Sequence, residues 1–152
     1  YDKNQPLWRI LPEFCQAHPR YERLGMRDLC EQIHGMYKAN DVARLTTEMY
    51  LSDMLPSMKP SDAFAAMAHR EIDRVEIDRL EGRVTSVLLT PYPPGIPLLV
   101  PGERFNQTIV HYLQFAREFN RTFPGFDTDI HGLVEESMAG EARYFVDCVR
   151  QN

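Results

Sequence analysis

Apolar residues recur at helical spacing along the first third of the chain. Between residues 26 and 39, four of them fall on one face of a 3.6-residue period: Leu29, Ile33, Met36 and Tyr37. The stretch that ends at Tyr50 repeats the spacing with Val42, Leu45 and Met49. Asp41 stands just before it and is a residue type that caps helix N-termini. The pattern predicts two consecutive amphipathic helices, the second capped by Asp41.

Two further helices follow from the same reasoning. Pro60 suits the first turn of a helix, and an apolar face follows it at Ala63, Phe64, Met67 and Ala68. Asn106 can cap a long helix over 107–122, which Pro124-Gly125 would end. Its apolar residues cover a wide arc: Ile109, Val110, Leu113, Phe115, Ala116 and Phe119.

The second half of the chain carries strand patterns. Residues 74–78 alternate between polar and apolar, Gly82 marks a turn, and 83–90 reads as a second strand, most buried at 87–89. Residues 126–131 look extended, 135–141 a polar loop, and 144–149 a last strand with Tyr144, Val146 and Cys148 on one side. Helices first and strands later predict an α+β fold, with helices packed on a small, mostly antiparallel sheet.

Residues 1–25 carry three prolines among aromatic and aliphatic side chains. This mixture predicts an N-terminal arm, or a linker from a preceding domain, that packs on another surface. We expect the α+β domain itself to cover residues 26–152.

One segment fits neither pattern. Residues 90–103, TPYPPGIPLLVPGE, hold five prolines and two glycines among apolar residues. Proline fixes φ and donates no backbone hydrogen bond, so this proline segment cannot lie inside a helix or a central strand. It is also too apolar for an ordinary solvated loop. We therefore expect a stiff, extended segment that docks on this domain or on another protein surface.

Composition narrows the function classes. A net charge of −5 over 152 residues argues against a nucleic-acid surface, which would need a basic stripe. The three cysteines have no Cys-x-x-Cys spacing, so we expect a reducing compartment rather than disulfides or structural zinc. No apolar run is long enough for a membrane span, and residues 3–12 are too mixed for a signal peptide. The chain opens on Tyr1 rather than Met, so we expect a piece of a longer protein.

Three sets of residues could carry chemistry. Asp127, Asp129 and His131 would share one face of a strand and could bind a divalent metal, or could simply form a polar strand edge with turn-capping carboxylates. The cysteines fit small apolar groups better than nucleophiles. Glu103 could interact with the dipole of the following helix or stand at the mouth of a site for a cationic substrate. The glycines lie at turn positions, such as Gly82 and Gly102, and form no phosphate-binding loop.

The proline segment resembles a signature of the bacterial ornithine/lysine/arginine decarboxylases, in their C-terminal domain. A Gly82-Arg83 pair precedes it, as in that family, and residues 123–132, FPGFDTDIHG, resemble the family's YPGFETDIHG. Order and spacing agree, and the resemblance covers the chain from about residue 26 onwards. It implies a fold type I pyridoxal-phosphate enzyme that converts arginine, lysine or ornithine to agmatine, cadaverine or putrescine and CO2.

The resemblance also implies what this chain lacks. The family's Schiff-base lysine lies in a Ser-x-His-Lys context in a central domain, whereas Lys3, Lys38 and Lys59 follow no histidine. We therefore expect no catalytic, cofactor-binding or metal-binding residue here, and no activity of the chain alone. The expected role is accessory, in subunit assembly and at the active-site entrance.

The expected interface or entrance residues are Tyr92, Pro93, Pro94, Gly95 and Glu103. The expected partners are the pyridoxal-phosphate domain of the same polypeptide and at least one further subunit, in the cytoplasm, without nucleic acid or membrane. Two alternatives stay open. One is a stand-alone binding or assembly module with no enzyme attached, and the other is a small metal enzyme using Asp127, Asp129 and His131.

Overall fold

The structure is a computed structural model that describes residues 4–151. The α-helices of this range are α1 (Leu7–Ile10), α2 (Pro12–Ala17), α3 (Met26–Ala39), α4 (Val42–Leu51), α5 (Pro60–Ala68) and α6 (Gln107–Thr122). The strands are β1 (Ile72–Glu76), β2 (Thr90–Tyr92), β3 (Asp129–His131), β4 (Val134–Met138) and β5 (Glu141–Val149). The predicted α+β class is confirmed. None of the helices within residues 4–151 is long and apolar enough to cross a membrane.

The main sheet has three antiparallel strands in the order β1–β5–β4. Val75 of β1 lies opposite Val146 of β5, and both are buried together with Cys148. Strands β2 and β3 form a separate antiparallel pair in which Tyr92 lies opposite Asp129. This pairing places the proline segment beside the second motif, 123–132.

Helix α6 lies between two apolar clusters, and its wide apolar arc contributes side chains to both. Ile109 and Leu113 belong to the cluster that includes the main sheet. Phe115 and Phe119 belong to a second cluster with the N-terminal residues. The predicted cap is also present, because the amide of Ile109 donates to Asn106 Oδ1 at 2.9 Å. A helix anchored on both sides fixes the positions of everything that packs on it.

The N-terminal residues pack against α6. Leu7, Cys15 and Tyr21 are buried in the second cluster. The Tyr21 hydroxyl donates to the carbonyl of Pro124 at 3.0 Å, which ties residues 4–25 to the end of α6. The expected domain boundary at residue 25 stays a prediction.

The prediction of a strand over 83–90 is wrong, except that Thr90 begins β2. Within the described chain, the only strand-like pairings of residues 83–89 are isolated bridges at Val84, Thr85 and Leu89. The reason is local: Thr85 Oγ1 donates to Val87 O at 2.7 Å and Ser86 Oγ donates to Asp147 O at 2.7 Å. Such side-chain bonds to the backbone compete with a regular ladder. The stretch 87–89 is also not uniformly buried, because Leu88 is exposed.

The polar loop predicted over 135–141 is wrong as well. Strand β4 covers most of it, Ala139 and Gly140 turn the chain with φ of 52° and 82°, and β5 begins at Glu141. Positive φ at both turn residues is typical of a two-residue hairpin. The strand reads as polar because much of it faces solvent, where Glu136 accepts a hydrogen bond from Arg74.

Three smaller predictions also differ from the structure. Strand β1 begins earlier than expected and gives way to a 3-10 turn at Ile77–Arg79. Of the stretch 126–131, only residues 129–131 form a strand. Asp41 precedes α4 with a left-handed φ of 47° but makes no capping hydrogen bond. Its carboxylate instead pairs with Arg44 Nε at 3.0 Å.

Carboxylates on and after β1 are held by arginines from other elements. Arg143 of β5 donates to Glu76 at 2.8 Å through Nε. Arg117 of α6 donates to Asp78 at 3.1 Å, and Gln114 donates to the same carboxylate at 2.8 Å. These hydrogen bonds from arginine hold the pKa of Glu76 and of Asp78 below the ordinary values.

We expect acid to destabilise the fold through these carboxyl groups. A carboxyl group whose pKa is lower in the folded state stabilises that state when ionised, above its unfolded pKa, and the effect is lost as pH falls through the folded pKa. The free energy of unfolding should therefore be level near neutrality and fall below about pH 4. Urea unfolding as a function of pH measures this, and Arg143→Met should give a shallower acid slope because the pKa of Glu76 returns towards normal. Equal slopes for the two proteins would contradict the assignment.

Candidate interaction site

The proline segment is buried at its two ends and exposed in its middle. Pro91, Leu98 and Leu99 are buried, and the amide of Leu98 donates to Leu89 O at 2.7 Å. Between these ends, Tyr92 and Ile96 expose about half of their surface. The segment is thus anchored to its own domain and presents an apolar loop outwards.

The shape of that loop depends on a tight turn. The Tyr92–Pro93 and Pro93–Pro94 peptide bonds are cis, and the amide of Gly95 donates to Pro91 O at 2.9 Å. A Cβ at Gly95 would lie 2.9 Å from the Tyr92 ring, so only glycine lets that ring fold over the turn. The Tyr92 ring also contacts the His131 ring, at 4.7 Å between ring centroids. The structure therefore brings Tyr92, Pro93 and Gly95 together.

Glu103 lies in a different turn and has a different partner. Its Oε2 accepts a hydrogen bond from the amide of Val100 at 2.8 Å, while its own amide donates to Val100 O at 3.1 Å. These two bonds close the turn 100–103 ahead of α6. A place for this carboxylate at an active-site entrance stays a prediction.

Two exposed leucines that the sequence reasoning did not single out extend the apolar surface. Leu51, the last residue of α4, is 79% exposed, and Leu55, in the loop after α4, is 63% exposed. Backbone hydrogen bonds hold this loop beside the end of the proline segment: Arg104 N donates to Leu55 O at 3.2 Å, and Ser57 N donates to Gly102 O at 2.8 Å. No periodic signal marked these leucines, because their exposure depends on which segment lies beside them.

We call this surface the apolar face. Its members are exposed side chains on the two adjoining segments: Leu51, Leu55, Tyr92, Ile96 and Val100. Exposed apolar side chains gathered on one surface mark interaction sites, whereas singly scattered ones need no explanation.

The acidic motif does not form a metal site. Asp129 and His131 are exposed on one face of β3, with 3.3 Å between Oδ2 and Nε2. Asp127 lies before the strand and accepts a hydrogen bond from the amide of Gly125 at 3.2 Å. Within residues 4–151, no group of three or more histidine, cysteine or acidic side chains could hold a metal ion.

The lysines and the cysteines of the described residues differ in exposure and environment. Lys38 and Lys59 are exposed, unlike a cofactor-binding lysine in a closed pocket, and Lys3 lies outside the described residues. The thiols of all three cysteines are free, and Cys30 is the exposed one. Burial raises the pKa of Cys148 to about 12, which keeps this thiol protonated and a poor nucleophile at neutral pH.

Comparison with known proteins gives consistent results. Residues 43–150 match the family model described as Orn/Lys/Arg decarboxylase, C-terminal domain. The chain is 44% identical to lysine decarboxylase LdcA of Pseudomonas aeruginosa, over 99% of this chain and 21% of the relative. It is 32% identical to the biodegradative arginine decarboxylase of Escherichia coli, over 99% of this chain and 20% of that relative.

The fold of this chain agrees with that of a solved structure. Lysine decarboxylase A from Pseudomonas aeruginosa superposes with a TM-score of 0.90 at 45% identity, over 99% of this chain and 21% of that chain. The chain thus spans about a fifth of the length of the curated relatives it matches.

Proposed function

Because this chain belongs to the family of Orn/Lys/Arg decarboxylase C-terminal domains, as its two motifs predicted, we propose that it is the accessory domain of a basic amino-acid decarboxylase. The observation that carries the proposal is the family match over residues 43–150. The full-length enzyme would use pyridoxal phosphate and release CO2 from lysine, arginine or ornithine. It would be a cytoplasmic homo-oligomer in which this domain helps subunit assembly and flanks the active-site entrance.

The described residues do not fit the cofactor, and no chemical step is assigned to them. A Schiff-base lysine needs a desolvated pocket that lowers its pKa, whereas Lys38 and Lys59 are exposed. We infer that the cofactor and the reacting groups are supplied by the other four fifths of a relative-like polypeptide.

The apolar face supports a docking role. Leu55 and Ile96 lie on segments fixed by backbone hydrogen bonds, so little conformational entropy is lost when a partner covers them. The proposed occupant is the remaining part of the same polypeptide, because the relatives extend to about five times the length of this chain.

Assay of the full-length gene product tests the enzymatic proposal. Purified protein is incubated with lysine, arginine or ornithine, with and without added pyridoxal phosphate, and CO2 release is measured. We expect cofactor-dependent decarboxylation of at least one of the three, and none by residues 1–152 alone. A full-length product that is inactive on all three, or a gene encoding only a stand-alone module, would overturn the proposal.

The docking role has its own test in the same protein. Ile96→Ser and Leu55→Ser should increase proteolytic release of the C-terminal domain from the full-length protein, since each removes apolar area from the interface. Met138→Ser, an equivalent change at an exposed residue next to the hairpin turn, is the control. Release rates equal to those of the control would contradict a docking role for the face.

A further inference from the structure

A groove of about 550 Å³ lies at the junction of α3, α4 and α6. Its floor includes Tyr112 and Phe115 of α6, and Tyr37 and Lys38 of α3 line it. Pro93 of the proline segment and Thr128 of the second motif also line it. Both family motifs therefore contribute to one concave site, which the sequence alone did not indicate.

The Tyr112 hydroxyl is a donor without an acceptor among the described residues, and Tyr112 lines the groove. Tyr112 is only 6% exposed, and within residues 4–151 its hydroxyl makes no hydrogen bond. An acceptor that a partner brings to this hydroxyl would gain a hydrogen bond from it. Burial raises its pKa to about 12, so the phenol keeps its proton and acts as a donor at neutral pH.

Lys38 adds an unpaired positive charge at the same groove. No carboxylate in the described part of the chain forms an ion pair with its ammonium group. The one acidic side chain on the groove, Asp41, is paired with Arg44 at 3.0 Å. The groove thus offers a neutral donor and a cation above an aromatic floor.

From these contacts we propose that the groove binds a segment of the decarboxylase polypeptide outside this chain, one that presents a carboxylate beside an apolar side chain. The carboxylate accepts from Tyr112 and pairs with Lys38, while the apolar side chain packs on Phe115 and Tyr37. This inference rests on the proposed function and names the contact through which the domain docks. The occupant follows from the charge of the groove, from the shared proline segment that joins it to the apolar face, and from the length of the relatives beyond the match.

Cysteine alkylation in the full-length protein tests this contact. Ala43 lines the groove, so Ala43→Cys reports whether the groove is covered, and Ser61→Cys at an exposed site of α5 is the reference. We expect Cys at position 43 to be alkylated at least about tenfold more slowly than the reference. Equal rates would show an open groove and overturn the proposal.

Variants of Tyr112 and Lys38 test the proposed hydrogen bond and ion pair one at a time. Tyr112→Phe or Lys38→Glu, each added to Ala43→Cys, should speed alkylation about fivefold to tenfold, the effect of losing one hydrogen bond or ion pair to a carboxylate. Lys38→Glu brings a negative charge near the thiol and slows its intrinsic reaction, so faster alkylation can only report opening. Lys59→Glu is the matched charge-reversal control outside the groove lining and should leave the rate unchanged.

The outcomes separate this inference from the proposed function. A full-length protein that decarboxylates its substrate but alkylates equally fast with and without Tyr112→Phe refutes the groove contact alone. Slow alkylation in a protein without decarboxylase activity refutes the proposed function alone. Protection that disappears on dilution would assign the groove to a second copy and overturn the proposed occupant.

Discussion

Replacing Gly102 with alanine is expected to lower the free energy of unfolding by about 3 to 4 kcal/mol. Gly102 has φ of +94°, and a Cβ built there would lie 2.4 Å from the carbonyl oxygen of Met58. A backbone atom cannot swing away as a flexible side chain can, so the two segments must separate. The bonds from Ser57 N and Met58 N to Gly102 O, at 2.8 and 3.2 Å, would then be lost or weakened.

Gly140→Ala separates the cost of a positive φ from the cost of the clash with Met58. Gly140 also has a positive φ, +82°, but a Cβ there meets no atom within 4 Å. Its substitution should cost about 1 kcal/mol, the backbone strain alone. Urea unfolding of both variants measures the difference. Equal losses for Gly102→Ala and Gly140→Ala would show that the contact with Met58 does not constrain the fold.

Phe119→Ala, as a separate variant, is expected to lower the free energy of unfolding by about 3 to 5 kcal/mol. Phe119 is 4% exposed, and its ring lies between Phe115, Phe123 and Tyr37 at centroid distances of 6.0, 5.2 and 5.5 Å. Truncation leaves a cavity in the cluster that also holds the N-terminal residues Leu7, Cys15 and Tyr21. Hydrogen exchange should therefore speed up in residues 7–21 as well as around α6.

The matched control for Phe119→Ala is the same chemical change at an exposed site. Phe64 in α5 is 61% exposed, and Phe64→Ala should change the stability by no more than about 0.5 kcal/mol. Denaturant unfolding followed by circular dichroism measures both. If Phe119→Ala left exchange in residues 7–21 unchanged, the N-terminal arm would be energetically separate from the domain, as a boundary at residue 25 requires.

Local sequence signals located the four longer helices, α3 to α6, but not α1 and α2, which lie in the stretch predicted as an arm. The periods of 26–39 and 107–122 match α3 and α6, and Asn106 makes the predicted cap. These features depend on residues three or four positions apart, which the sequence displays directly. Strand predictions were poorer, because 83–90 and 135–141 depend on which distant segment lies beside them.

The candidate interaction site, too, could be predicted only in part from the sequence. The proline segment, its turn glycines and the resemblance to a decarboxylase C-terminal domain could be read from residues 90–103 and 123–132 alone. The sequence could not reveal that Glu103 closes its own turn, or that Leu55 lies beside the end of the proline segment.

The sequence by itself determined the family, the helices and the stiffness of the proline segment, since these depend on neighbouring residues and fixed proline φ angles. Only the tertiary structure decided which faces stay exposed and which donors stay unpaired. Pro93 and Thr128 meet in one groove because β2 pairs with β3, and the Tyr112 side chain is largely buried because α6 packs on both clusters. Burial and pairing arise between residues distant in the chain, so no local pattern encodes them.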